Sequence, residues 1–125
     1  MKTVDDQEQQ DILDGLEKLS AAFFEKLPVR LSDIIQYFDE HIAEKNENVD
    51  ALYELHRLVH SLAGTAGTYG YTKIGQRLQG LDGRLKELSH SLTISFNSES
   101  KKIIRRELVS IGDVIQVLRE KSRLQ

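Results

Sequence analysis

Apolar residues recur three and four positions apart along most of this chain, and no stretch alternates apolar and polar residues for long enough to make a strand. That periodicity confines the chain to an all-α fold. Ile12, Leu16, Leu19 and Phe23 mark a first helix, and Leu31, Ile34, Ile35, Phe38 and Ile42 mark a second. The sole proline, Pro28, lies between them and suits a first-turn position or a kink. The polar run from Glu44 to Asn48 reads as a loop. Leu52, Leu55, Val59, Leu62 and Ala66 form a third stripe that ends at Gly70. Ile74, Leu78, Leu81, Leu85 and Leu88 form a fourth, with Thr72 as its cap. Thr93 to Ser98 reads as another loop, in which Asn97 or Ser98 caps a last helix marked by Ile104, Leu108, Ile111, Ile115 and Leu118. Five amphipathic segments joined by short loops predict an antiparallel four-helix bundle, built from the second to fifth helices, with an additional N-terminal helix covering one end.

A chain of 125 residues fits one domain, spanning 1–125, with a single core. Net charge is -3 and the basic residues are interspersed with acidic ones, which gives no footprint for nucleic acid or an anionic membrane. No apolar run approaches the ~18 residues that span a bilayer, and the acidic start is unlike a secretory signal. Cysteine is absent, which excludes disulfides and thiolate metal sites. These features place the chain in the cytoplasm with another protein as its partner.

Within the third helix, His60 projects roughly 130° from the centre of the apolar stripe, toward water. Its neighbours over the next two turns are Ala63, Gly64 and Gly67, so its own helix offers no large side chain to shield the ring. A helical glycine costs up to about 1 kcal/mol relative to alanine, so two of them here need a reason. One reason is clearance for a protein docking onto the ring; the other is close helix packing inside the bundle. A free imidazole has a pKa of ~6.5 and is largely neutral near pH 7, as a nucleophile must be. Gly70 supplies the turn, Tyr69 and Tyr71 pack around it, and Leu62 and Ala66 belong to the core. His56 and His60 are four apart and could face one metal ion. The helix lacks the glutamate of a His-Glu-x-x-His site, and His41 and His90 show no metal-ligand spacing, so no metal is expected.

The segment from Leu52 to Leu85 resembles the histidine-containing phosphotransfer (HPt) domain family. The residues that carry the likeness are His60, Leu62, Gly64, Gly70, Ile74, Leu78 and Leu81. Asp82 stands where the family usually has Glu or Gln, and Ala63 where it usually has Lys. The resemblance implies a phosphorelay protein in which His60 accepts a phosphoryl group from a receiver-domain aspartyl phosphate and passes it to an aspartate of another receiver. It implies an imidazole-orienting role for Asp82, and a docking surface around His56, Arg57, Ala63, Gly64 and Gly67. Partners would be response-regulator receiver domains, among them that of a hybrid sensor histidine kinase. The receiver would bring the magnesium ion, so the chain needs no cofactor. It would be a phosphoryl carrier rather than an enzyme, which accords with its lack of a phosphate-cradling glycine loop.

The Ala63 departure removes the usual basic neighbour of the phosphoryl group. Arg57 is the nearest replacement in sequence, with Lys73, Arg77 and Lys86 further off. Two other readings stay open. The string from His60 to Tyr71 is similar to the phosphotransfer domain of chemotaxis-type kinases, where a kinase domain phosphorylates the histidine. Alternatively, the chain is an adaptor or dimerisation module that binds receivers without taking phosphate.

Overall fold

Pro28 does not end the first helix. In the computed structural model, which describes residues 5–44, 49–90 and 97–123, α1 runs unbroken over Asp6–His41 with Pro28 inside it. The expected first and second helices are thus one, and the described residues form four helices: α1, then α2 (Val49–Thr68), α3 (Thr72–His90) and α4 (Ser98–Arg123). The apolar spacing explains the continuity, because Phe23, Leu27, Leu31, Ile34 and Phe38 keep one face across the proline and are all buried. Proline removes the N–H that would bond the carbonyl four residues back, at a cost of about 3 kcal/mol in a helix interior. That carbonyl belongs to Phe24, and Nη1 of Arg119 on α4 donates to it at 3.3 Å. The Arg119 guanidinium also lies 5.9 Å from the centre of the Phe24 ring. A side chain from a distant helix replaces the lost partner.

Consecutive helices pack side by side, α1 on α2, α2 on α3, α3 on α4 and α4 back on α1, with α2 and α3 in the most extensive contact. One core fills the space between them. Leu27, Leu55, Leu62, Ile74, Leu78, Leu85, Ile104, Leu108 and Ile111 are wholly buried, each worth about 1.5–3 kcal/mol of transfer free energy. At about 1.5 Å per residue, the 36 residues of α1 span about 54 Å and the 20 of α2 about 30 Å. The first turns of α1 therefore do not cover the bundle end, contrary to expectation: Ile12, Leu13, Leu16 and Leu19 are 53–56% exposed. No helix among the described residues is long and apolar enough to cross a membrane.

The caps follow from local chemistry. Asp5 starts α1 by accepting the Glu8 N–H at 2.7 Å, and Asn97 starts α4 by accepting that of Ser100 at 2.9 Å. Thr72 is the first residue of α3 rather than its cap, and its hydroxyl donates to the Gly70 carbonyl at 3.5 Å. The two expected loops fall largely on 45–48 and 91–96, which lie outside the described residues.

The turn between α2 and α3 fixes the site. Gly70 adopts φ +83°, a left-handed conformation, and the Gly70 and Tyr71 N–H groups return to the carbonyls of Gly67 (3.1 Å) and Ala66 (3.0 Å). This pattern closes a helix with a glycine just past its end. Tyr69 stacks on Phe23 with ring centres 5.2 Å apart, and Tyr71 stacks on Phe24 at 5.0 Å. Ser20 adds a hydroxyl contact of 3.2 Å to Tyr71 Oη. The α2–α3 hairpin is thereby anchored to α1.

Candidate functional site

Three side chains meet where α2 crosses α3. His60 is exposed, at 73% of its side-chain surface, because the buried stripe of Leu55, Val59, Leu62 and Ala66 turns the other face of α2 toward water. His56, one turn earlier, and Asp82 on α3 are each 19% exposed. Nδ1 of His60 lies 3.1 Å from Oδ2 of Asp82. Nε2 of His56 lies 2.7 Å from Oδ1 of the same carboxylate. The two imidazole centres are 6.0 Å apart.

The two contacts differ in kind. With its proton on Nδ1, His60 donates a hydrogen bond to Asp82 and keeps a lone pair on Nε2. The His56–Asp82 contact is short but lacks the direction of a ring N–H donor, and neither His56 Nε2 nor Asp82 Oδ1 has a hydrogen-bond partner. Both atoms are buried.

Asp82 can reach across because the helices approach closely. A Cβ added at Gly75 on α3 would stand 3.5 Å from the Gly67 nitrogen and 3.8 Å from the Ala63 carbonyl oxygen. Sequence reasoning passed over Gly75, although a glycine one residue past an apolar stripe position is the signal for such an approach. At Gly64 and Gly67 an added Cβ would meet nothing within 4 Å. Their own Cα positions face open space, with close packing confined to the backbone of Gly67 against Gly75. Gly64 lines a shallow, open hollow beside His60 together with Ser61, Thr65, Thr68 and Tyr69. The hydroxyls of Thr65 and Thr68 donate back to the carbonyls of Ser61 and Gly64, at 2.9 and 3.0 Å.

Of two expected members of the surface, one is buried and the other is paired with a neighbour. Ala63 is only 3% exposed, so it does not form part of an exposed surface. It lies four residues after Val59 and therefore on the buried face. Arg57 is exposed but paired with Glu54, with Nε at 2.9 Å from Oε2 and Nη2 at 2.6 Å from Oε1. That pairing raises the Arg57 pKa and lowers that of Glu54, in both cases mainly through the hydrogen bonds. Arg77 donates to Ser110 of α4 at 2.7 Å, while Lys73 and Lys86 are exposed on α3.

No family model matches this chain. Comparison with curated proteins and with solved structures likewise gave no match. The site itself is an exposed imidazole held from behind by a carboxylate, with open helix surface beside it.

Proposed function

We propose that this chain is a histidine phosphotransfer protein in which His60 relays a phosphoryl group between receiver domains. The observation that carries the reading is the 3.1 Å contact between His60 Nδ1 and Asp82 Oδ2 on a ring that is 73% exposed. A hydrogen bond there keeps the proton on Nδ1 and leaves Nε2 as the nucleophile. In the forward step the Nε2 lone pair attacks the phosphorus of an aspartyl phosphate, the P–O bond to that aspartate breaks, and the aspartate leaves as a carboxylate. Nδ1 keeps its proton, so the phosphorylated ring carries a positive charge that the Asp82 carboxylate stabilises. Passing the group to a second aspartate reverses these bond changes.

The surroundings support a docking role. Gly64 leaves space beside the ring for a partner backbone or side chain. Arg57 is engaged by Glu54, so the charge of the phosphoryl group falls to the receiver and the magnesium ion it holds. The chain itself is then a carrier, acting in the compartment of its receivers.

Phosphotransfer profiling against a panel of phosphorylated receiver domains tests the reading. Label should move to the wild-type chain and not to His60→Gln. Equal labelling of the two would overturn it. The pairing of Arg57 with Glu54, together with Ala63 in place of a lysine, favours a second reading as a receiver-binding adaptor. Receiver binding that survives His60→Ala, with no phosphohistidine at any time, would establish that alternative.

A further inference from the structure

We infer that His56, His60 and Asp82 form a binding site for a divalent transition-metal ion of the zinc class. The first observation is a pair of atoms that needs a cation. His56 Nε2 and Asp82 Oδ1 are 2.7 Å apart, buried, and without a hydrogen bond to each other or to anything else. A neutral imidazole with its proton on Nδ1 would set a nitrogen lone pair against a carboxylate oxygen there. A cation bound by both atoms removes that conflict.

The second observation is the donor set. His56 and His60 stand one helical turn apart on α2, Asp82 faces them from α3, and one ligand atom from each residue lies within 4.8 Å of the others. Zinc binds imidazole nitrogen and carboxylate oxygen at about 2.0–2.2 Å, which puts neighbouring ligand atoms roughly 3–3.5 Å apart. Each nitrogen is near that spacing from one oxygen of Asp82, His56 Nε2 at 2.7 Å from Oδ1 and His60 Nδ1 at 3.1 Å from Oδ2. The His60 ring is 73% exposed, so no packed side chain fixes its orientation toward an ion. Two nitrogens and a carboxylate suit zinc, copper or nickel, whereas magnesium and calcium prefer all-oxygen sites. Three protein ligands leave the outer position for water or for a group on a partner.

Metal binding requires nothing of the phosphotransfer reading. One consequence does rest on it: an ion on His60 Nδ1 draws electron density from the ring and occupies Asp82, so it should suppress phosphoryl acceptance at Nε2.

The test is calorimetric titration of the tag-free, chelator-treated chain with Zn²⁺. We expect one ion per chain. Loss of a group that only hydrogen-bonds a metal ligand already costs about 10–100-fold in affinity, so His56→Gln and Asp82→Asn, which remove ligands, should each weaken binding by at least that much. Circular dichroism establishes that the variants remain helical, and His41→Ala and His90→Ala should bind as the wild type does. Failure of the wild-type chain to bind, or equal affinity in His56→Gln, would overturn the site. Labelling by phosphoramidate with and without Zn²⁺ then separates the two ideas. Stoichiometric binding without labelling of the metal-free chain would count against phosphotransfer and leave the metal site standing.

Discussion

Asp82 reaches His60 from the neighbouring helix, its Oδ2 3.1 Å from the imidazole Nδ1, although aspartate is one methylene shorter than glutamate. The helices pack closely nearby, where a Cβ at Gly75 would stand 3.5 Å from the Gly67 nitrogen and 3.8 Å from the Ala63 carbonyl oxygen. If that contact orients the nucleophile, Asp82→Ala should slow phosphorylation of His60 by about 10–100-fold, as outer partners of imidazoles commonly do. Single-turnover labelling measures the rate, and an unchanged rate would remove Asp82 from the mechanism.

The glycines at the site divide into two roles, and substitution separates them. Gly64→Trp adds bulk into open space, so thermal stability should hold while transfer from a receiver domain falls and labelling by phosphoramidate persists. Gly75→Leu forces a side chain between α2 and α3 and should destabilise the fold by about 1–3 kcal/mol in denaturant titration. Normal receiver transfer in Gly64→Trp would mean that docking does not use this surface.

Arg119 is the partner that lets α1 continue through Pro28. Arg119→Met leaves the Phe24 carbonyl without its 3.3 Å bond and should cost about 1–3 kcal/mol. In a Pro28→Ala background the helix supplies its own N–H, so the same substitution should cost less. A double-mutant cycle of denaturant midpoints reads this coupling directly.

Much of this molecule was legible in its sequence, and the features that were not depend on contacts between helices. The apolar stripes marked the helical segments, though as five rather than four, and most of the core, and the phase of Leu55, Val59 and Leu62 turned His60 outward. The continuity of α1 could not be read locally, because the group that satisfies Phe24 comes from Arg119, 95 positions away. Ala63 follows Val59 by four and was open to the same periodic argument that buried its neighbours. The pairing of Arg57 with Glu54 at i,i+3 was readable too, as a helix-surface ion pair. The short His56–Asp82 contact was not, since it depends on the separation of two helices that only their packing sets.

Asp39 on α1 and Arg105 on α4 are joined by two hydrogen bonds of 2.8 and 3.1 Å. The guanidinium holds the Asp39 carboxyl below its ordinary value of 3.8, mainly through hydrogen bonding and against a smaller opposing effect of burial. A carboxylate whose folded-state pKa is depressed adds stability that is fully present above its unfolded pKa and is lost as pH falls through the folded one. Both side chains are exposed, so Asp39→Asn should cost under about 1 kcal/mol at pH 7. That difference should persist down to the ordinary aspartate range and vanish below it, and it should shrink in high salt. Chemical denaturation across pH for the two proteins is the check.

In the proposed relay the phosphoryl group rides on Nε2 of His60, with Nδ1 held by Asp82. Phosphorus and nitrogen NMR of the chain phosphorylated by a receiver domain locates the bond. We predict a single phosphohistidine, substituted at Nε2 and absent from His60→Gln. A phosphoryl group on Nδ1 or on another residue, or no phosphorylation at all, would overturn this assignment.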